Sequence, residues 1–375
     1  MDYRKKLFQW KDPFDTEGSK DAFCKAMKEN CAFQYKNCPE YRTILDEKGF
    51  SPEDIKDYDD LAKLPFLPTV FLKHHRIFSM PEHKRLIRAT SSGTSGKYSE
   101  IGMEFGSLTN GLRMLLKVTR PRKLISPVPC HYIIFGYRPH KSNKTAIAKT
   151  ALGYTFFTPA LSRTFALKYK DGKYEPDLEG VIKAIVKHSK SKFPMRFIGF
   201  PAYTYFTLKM MDERGIHVKL PKNSVIMLGG GWKQFYKEQV DKQAMYDLVK
   251  RVLDVEEENV VESFGAAEHP ILYCDCKKHH FHVPVYSRVM IRDVNTLEVL
   301  PHGNVGLVNL MTPMIKATPV LSIMTDDLGI LHDAEECGCG VKSPYLEIIG
   351  RVGLKDVKTC AAGASEILEK AGLKG

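Results

Sequence analysis

Between about residues 86 and 283 the chain alternates short apolar runs with longer segments of helical periodicity. The candidate strands are 130–135, 196–199, 224–228 and 260–263, and the candidate helices are 178–189, 202–214 and 233–253. A repeating order of strand, glycine-rich turn and helix predicts a mainly parallel sheet with helices on its faces, which is an α/β fold.

The pattern differs on both sides of this α/β core. Residues 1–85 are predicted to be mainly helical, and residues 284–350 read as short strands and turns that form a β-rich subdomain. A chain of 375 residues, 43% of them hydrophobic, can bury the core of one large domain or of two unequal ones. We expect one large domain over 1–350 and a short tail at 351–375.

Charge and hydropathy narrow the possible ligands and the location. The net charge is +12, which suits an anionic ligand such as a nucleotide, or an acidic partner. The basic residues are spread along the whole chain without a basic stripe, so nucleic acid is not the expected partner. No apolar run approaches the roughly 20 residues that cross a bilayer, and no signal core follows the N-terminus, so the expected location is the cytoplasm, without a membrane partner.

A loop rich in hydroxyl groups and glycine is the first candidate site. After Thr90 it runs through Ser91, Ser92, Gly93, Thr94, Ser95, Gly96 and Lys97. Its glycines let backbone N–H groups turn toward an anion, while the hydroxyls and the lysine add donors and a charge. The spacing is not that of a P-loop. The loop is interpreted as a phosphate site, and a plain polar surface loop is the alternative.

Glycines also follow the candidate strand at 224–228, as Gly229, Gly230 and Gly231. Nucleotides bind at the carboxyl edge of open α/β sheets, so this turn is a candidate nucleotide contact. A tight strand-to-helix turn explains the same glycines equally well.

The next strand leads into Phe264, Gly265 and Glu268. The aromatic ring could stack on a base, and the carboxylate could hold Mg²⁺ between phosphates. Further along, Asp327 could accept both hydroxyls of a ribose, and Arg351 could contact ribose or phosphate. Each of these signals alone is weak, because such residues are common in exposed turns.

In this order and spacing, the four motifs resemble the adenylate-forming superfamily of acyl-CoA ligases. The resemblance implies that 1–350 is an adenylation domain of layered sheets and helices that uses ATP. Residues 92–97 would hold the pyrophosphate portion of ATP, and Gly229–Gly231 with Phe264 would bracket the adenine. The remaining roles would be Mg²⁺ binding by Glu268, ribose binding by Asp327 and hinge motion at Arg351. Asp326 departs from the pattern, because a glycine usually precedes the ribose aspartate.

The segment after the hinge resembles a narrower family, the acyl-protein synthetases of bacterial luminescence operons. Superfamily members continue into a lid domain after the hinge, whereas residues 352–375 form only a truncated lid here. The resemblance implies that a fatty acid is activated as acyl-adenylate, moved to Cys360 and passed to a partner acyl reductase. Lys355, Lys358 and a predicted helix at 364–371 would lower the pKa of that thiol. An inert tail thiol is the alternative.

Two cysteine pairs suggest a metal site. They are Cys274 with Cys276 and Cys337 with Cys339. Thiolates in two pairs suit tetrahedral Zn²⁺, with His280 or His282 as possible further ligands. The metal would be structural, and free thiols beside surface histidines are the alternative.

The sequence therefore predicts a ligase with Lys97, Glu268 and Cys360 as its catalytic residues, and with ATP, Mg²⁺ and a structural Zn²⁺ as its cofactors. Two other functions stay open. An acyl- or aryl-CoA ligase would release acyl-CoA without an acyl-enzyme, and a nucleotide-binding scaffold would bind ATP without catalysis.

Overall fold

The computed structural model describes residues 2–90, 98–140, 152–156, 158–232, 235 and 238–351. The chain forms two compact units. Unit 1 comprises Met1–Val118 with Gly265–Gly375, and unit 2 comprises Thr119–Phe264. The domain boundaries expected from the sequence stay a prediction.

The described helices and strands follow in chain order. The α-helices are α1 (Tyr3–Phe8), α2 (Lys20–Asn37), α3 (Pro39–Glu47), α4 (Thr69–His74), α5 (Phe105–Val118), α6 (Leu178–Ser189), α7 (Pro201–Glu213), α8 (Lys242–Leu253) and α9 (Ala334–Cys337). Short 3-10 turns lie at Pro52–Asp54, Asp59–Lys63, Glu82–Lys84 and Glu257–Asn259. The strands are β1 (Leu67–Pro68), β2 (Ile87–Thr90), β3 (Glu100–Met103), β4 (Cys130–Tyr137), β5 (Ala160–Lys170), β6 (Lys173–Pro176), β7 (Met195–Gly199), β8 (Val225–Gly229), β9 (Val260–Ala266), β10 (His269–Cys274), β11 (Phe281–His282), β12 (Arg288–Arg292), β13 (Val305–Met311), β14 (Ser322–His332) and β15 (Tyr345–Arg351).

Unit 2 contains the predicted parallel sheet. Six of the seven strands of this sheet lie in the order β9, β8, β7, β4, β5 and β6, and among these six all neighbours are parallel except β5 and β6. The helices α6, α7 and α8 contribute buried residues such as Val181, Leu208 and Val249 to one core with Phe135 and Phe197 of the strands. The predicted α/β class is confirmed.

The carboxyl end of β7 approaches its neighbour closely at Gly199. A Cβ atom there would lie 2.2 Å from the carbonyl oxygen of Phe135, and the φ of Gly199 is +138°. Only glycine fits this position without strain. The chain then turns directly into α7, with Pro201 as its first residue.

One predicted helix begins later than expected. The periodicity predicts a helix over 233–253, whereas α8 begins at Lys242. The Asp241 side chain accepts a hydrogen bond from the N–H of Gln243 and so caps the first turn. The segment 239–241 ahead of it has no helical structure.

Unit 1 is organised around a second sheet. Its strands lie in the order β11, β15, β14, β13 and β12, and β1 pairs in parallel with β14 off this path. The other pairs are antiparallel. A separate two-stranded sheet joins β2 to β3. Four strands of this sheet, β12 to β15, come from the part of the sequence after residue 284 that was predicted to be rich in β-strands. Their antiparallel pairing is typical of strands joined by short turns.

Amide side chains of α2 satisfy the backbone of the connection between β13 and β14. The Nδ2 of Asn30 donates to the carbonyl oxygens of Pro313 and Ile315 at 3.1 and 2.8 Å. The Nε2 of Gln34 donates to Ile315 and Thr318 at 3.2 and 3.4 Å. The connection is buried, so these bonds replace those that water would supply.

A buried ion pair also contacts this connection. The guanidinium of Arg4 donates to Glu104 Oε1 at 2.6 Å and to the carbonyl oxygen of Met314 at 2.8 Å. Glu104 Oε2 accepts the N–H groups of Lys316 and Ala317, both at 3.2 Å. Burial raises the pKa of Glu104, but the hydrogen bond and charge of Arg4 outweigh it and lower the pKa below its ordinary value.

Among the described residues, no helix combines the length and the apolar character needed to cross a bilayer.

Glu104→Gln should lower the free energy of unfolding at neutral pH by about 3 kcal/mol, because it leaves a buried guanidinium without its counter-charge. Since the folded-state pKa is lowered, the stabilisation by Glu104 is complete above the ordinary glutamate pKa and is lost as the pH falls through the lowered value. The difference in the free energy of unfolding between wild type and Glu104→Gln should therefore become smaller at acid pH.

Urea unfolding at several pH values measures this. Asp21→Asn, which removes an exposed i,i+4 pair with Lys25, is the control and should shift the midpoint far less. Equal shifts for the two variants would contradict a structural role for Glu104.

Candidate active site

The predicted phosphate loop connects two paired strands. Strand β2 ends at Thr90, which lies opposite Glu100 on β3. Residues 91–97, with the predicted Ser91–Gly96 contacts and the catalytic Lys97, lie outside the described residues. The described residues therefore show the two strands, β2 and β3, that flank the loop.

Ser99, just after this loop, contacts the predicted magnesium ligand. Ser99 is fully buried, and its Oγ donates to Glu268 Oε1 at 2.5 Å. Glu268 is itself buried, in the turn between β9 and β10. A hydroxyl on one oxygen orients a carboxylate, so the hydrogen bond ties the orientation of Glu268 to the exit of the loop. Sequence reasoning missed Ser99, although its place two residues after Lys97 was a usable signal.

The residue after Glu268 is a buried histidine that stays neutral. His269 Nε2 lies 2.9 Å from the Oγ of Ser287, and burial lowers the pKa of His269 to about 3. At neutral pH the imidazole therefore adds no positive charge next to the carboxylate.

Strand β14 carries the two adjacent aspartates, and they have different surroundings. Asp326 is buried and accepts a hydrogen bond from Thr69 Oγ1 at 2.6 Å, and its Oδ2 lies 3.6 Å from Lys73 Nζ. Thr69 and Lys73 belong to α4. Asp327 is half-buried, and its backbone N–H donates to Thr325 Oγ1 at 3.2 Å. The departure from the family's glycine thus has a structural use, since Asp326 attaches β14 to α4.

The pairing of β14 with β15 places two predicted site residues side by side. The backbone of Arg351 lies opposite Asp327, and that of Gly350 lies opposite Leu328. The predicted ribose residue and the predicted hinge are thus neighbours across one strand pair. The side chain of Arg351 lies outside the described part.

In unit 2 the predicted adenine contacts lie at the carboxyl ends of neighbouring parallel strands. Gly229 ends β8 and pairs with Ser263 of β9, which precedes Phe264. A Cβ atom on Gly229 would lie 2.6 Å from the Oγ of Ser263, and Gly230 and Gly231 both have positive φ. Phe264 is half-buried, and Gly265 is exposed. Ends of adjacent parallel strands are where open α/β sheets bind ligands.

Three of the four predicted zinc cysteines lie together with one histidine. The potential ligand atoms of Cys276, His282, Cys337 and Cys339 lie within 4.8 Å of one another. Cys274, predicted as the fourth thiolate, is not in this group, and His282 takes its place. The remaining catalytic candidate, Cys360, lies outside the described residues.

Comparison with known proteins identifies a family whose sequence model matches this chain. The sequence model described as "Acyl-protein synthetase, LuxE" matches residues 7–369. A long-chain-fatty-acid–luciferin-component ligase from Aliivibrio fischeri is 24% identical over 362 residues, which cover 94% of this chain and 90% of that protein. Its namesake from Vibrio harveyi is 24% identical over 336 residues, with coverages of 89% and 85%.

More distant similarities reach CoA ligases. A phenylacetate-coenzyme A ligase from Thermus thermophilus is 25% identical over 323 residues, which cover 84% of this chain and 66% of that protein. A solved structure of 2-hydroxyisobutyryl-CoA ligase with 2-HIB-AMP and CoA superposes with a TM-score of 0.67 at 15% identity, covering 91% of this chain and 76% of that one. The fold is therefore that of adenylate-forming ligases.

Asp326→Ala should lower the free energy of unfolding by about 1–3 kcal/mol, because the buried hydroxyl of Thr69 loses its acceptor. Asp326→Asn is the matched control, since its amide oxygen can still accept that hydrogen bond, and it should cost less. Urea unfolding of both variants gives the comparison. If the alanine variant is as stable as wild type, the contact with α4 contributes nothing.

Proposed function

This chain belongs to the acyl-protein synthetase, LuxE, family, and we propose that it carries out a two-step acyl transfer with the residues assigned below. The chain is a ligase that activates a fatty acid as an acyl-adenylate. The observation that carries this conclusion is the family match over residues 7–369, which includes every predicted motif and Cys360. The similar ligases from Aliivibrio fischeri and Vibrio harveyi are named for long-chain fatty acids, and we propose that substrate class here.

In the first step an oxygen of the fatty-acid carboxylate attacks the α-phosphorus of ATP. A bond forms between that oxygen and phosphorus, and the bond from the α-phosphorus to the bridging oxygen breaks, so that pyrophosphate leaves with the electron pair. We assign the binding of the departing phosphates to residues 91–97, whose donors and Lys97 would stabilise the developing charge. Asp327 would accept the ribose hydroxyls, and Gly229–Gly231 with Phe264 would contact the adenine.

Glu268 is the proposed ligand of Mg²⁺. A buried carboxylate oriented by Ser99 offers the hard oxygen donor that this ion prefers, so the donor set fits. Mg²⁺ bound there would neutralise negative charge on the phosphates. Ser99 acts only through Glu268 and is a positioning residue.

In the second step we assign Cys360 as the acyl acceptor. Its thiolate sulfur attacks the carbonyl carbon of the adenylate, a carbon–sulfur bond forms, and the bond from that carbon to the phosphate oxygen breaks, releasing AMP. Lys355 and Lys358 would favour the thiolate. An adenylate is strongly activated, so a modest nucleophile suffices. The final acceptor would be a partner acyl reductase.

A CoA ligase is the second candidate function, favoured by the 25% identity to phenylacetate-coenzyme A ligases. It differs at the second step alone, because the thiol of CoA would then take the acyl group. Release of AMP would depend on CoA, and no acyl-enzyme would accumulate.

ATP–pyrophosphate exchange should depend on added acid and be fastest with long-chain fatty acids. Glu268→Gln should slow exchange by about 100-fold or more, since metal charge neutralisation contributes several kcal/mol. Ser99→Ala should instead raise the Mg²⁺ concentration for half-maximal exchange by about tenfold or more, with a small effect at saturating Mg²⁺.

Ser99→Thr is the matched control, because it keeps the hydroxyl. Exchange that stays flat across short, long and aromatic acids would rule out adenylation and leave the nucleotide-binding scaffold. An unchanged Mg²⁺ dependence in Ser99→Ala would remove its positioning role.

Labelled fatty acid with ATP should leave an adduct on the protein that neutral hydroxylamine releases. Cys360→Ala should abolish this adduct yet retain pyrophosphate exchange, because it removes the second step alone. Cys24→Ala, which changes a buried thiol of α2, should keep both activities. An adduct that persists in Cys360→Ala, or product that forms only with CoA, would contradict the assignment.

A further inference from the structure

Three thiols and one imidazole lie close together in unit 1, outside the residues assigned to the reaction. The Sγ atoms of Cys276 and Cys337 lie 3.5 Å apart, and the Sγ of Cys339 lies 3.2 Å from the Nε2 of His282. Ligand atoms around a tetrahedral zinc ion are separated by roughly 3.5 Å, given bond lengths of about 2.0–2.3 Å. The separation of the two sulfurs is far above the roughly 2.05 Å of a disulfide. The spacing therefore fits four ligands around one ion.

The histidine of this group is oriented for metal binding by a second contact. His282 Nδ1 donates to the carbonyl oxygen of Ser343 at 2.6 Å, and both residues are buried. A proton on Nδ1 leaves the lone pair of Nε2 directed at the cluster. Metal-binding histidines commonly make such a bond with their other ring nitrogen.

The sulfur atoms also have local support. Backbone N–H groups of Lys278 and Val341 point at the sulfurs of Cys276 and Cys339, at 3.3 and 3.5 Å. Such donors stabilise thiolates, which is the form that binds metal. The glycines at 338 and 340 have φ of +65° and +88°, so the turn that carries Cys337 and Cys339 has a conformation that favours glycine.

We propose that Cys276, His282, Cys337 and Cys339 bind one structural zinc ion. Three thiolates and one imidazole form a common set for structural zinc, and four protein ligands leave no position for a substrate. The ligand set differs from the sequence expectation in one member, because Cys274 is not in the group. His280 is also outside it, and its Nδ1 lies 3.1 Å from the Cys337 sulfur as a neighbour of the centre.

The ion would join segments that the strand ladder holds only weakly. Strand β11 contributes two residues, Phe281 and His282, which pair with Leu346 and Tyr345 of β15. So short a pairing is marginal by itself. Cys276 precedes β11 and His282 belongs to it, whereas Cys337 and Cys339 lie between β14 and β15. The metal would thus secure the start of β15, whose other end places Arg351 opposite Asp327. This consequence for the site rests on the proposed function, whereas the metal assignment does not.

Elemental analysis of the full chain, purified without chelators or metal-affinity resin, tests the assignment. We expect about one zinc per chain in wild type and less than half of that in Cys339→Ser and Cys337→Ser. Cys274→Ser is the matched control, because it changes the neighbouring thiol that the structure excludes, and it should keep the full zinc content.

A second measurement keeps the test decisive if a cysteine variant fails to fold. Wild type and Cys274→Ser, stripped by a chelator and reloaded with Co²⁺, should both show the strong visible absorption of a tetrahedral cobalt–thiolate centre. Less than about half an equivalent of zinc in wild type, iron in its place, or loss of metal in Cys274→Ser alone would overturn the proposal. Metal content needs no turnover, so zinc in a protein without pyrophosphate exchange would contradict the proposed function and leave the metal centre intact.

Discussion

The hydrogen bonding of β14 to its neighbours is the constraint on which unit 1 depends. Strand β13 pairs along one side of β14, β15 pairs along the other, and β1 adds a parallel pairing at Ile323 and Met324. In this ladder the Asp326 side chain contacts Thr69 and Lys73 of α4, and the backbone of Asp327 lies opposite Arg351. A change in the pairing of β14 would separate these partners, so the proposed ribose contact beside Arg351 requires this register.

The connection between β13 and β14 must also hold one conformation if β14 is to keep its register. It is buried, and a buried backbone without partners would cost about 1–3 kcal/mol for each unsatisfied group. Asn30 and Gln34 of α2 donate to its carbonyl oxygens, Arg4 donates to another, and Glu104 accepts from its N–H groups. Charge and amide groups close to the N-terminus thereby support a strand some 300 residues later in the chain. This explains why buried polar side chains occur in segments that otherwise look like ordinary amphipathic helices.

Much of the fold could be predicted because its signals are local. The four candidate strands of the α/β core lie within β4, β7, β8 and β9, apart from Ser224, because each is a short and largely apolar run. The start of α8 was wrong by nine residues, because periodicity cannot locate a cap such as Asp241. The position of Ser99 beside the loop is a local signal, but its hydrogen bond to Glu268 joins residues 169 positions apart and cannot be predicted from local sequence. The same holds for Asp326 with Thr69 and Lys73.

By itself the sequence determined the α/β class, the family and the identity of most groups that could do chemistry, because these follow from residue types, their order and short-range periodicity. The tertiary structure decided which of these groups meet. It put His282 in place of Cys274 beside the other three thiols, gave Asp326 a hydrogen bond with Thr69, and placed Arg351 across the strand pair from Asp327. The physical reason is that ligand sets and carboxylate environments depend on strand register and chain crossing, which bring together residues that are distant in sequence.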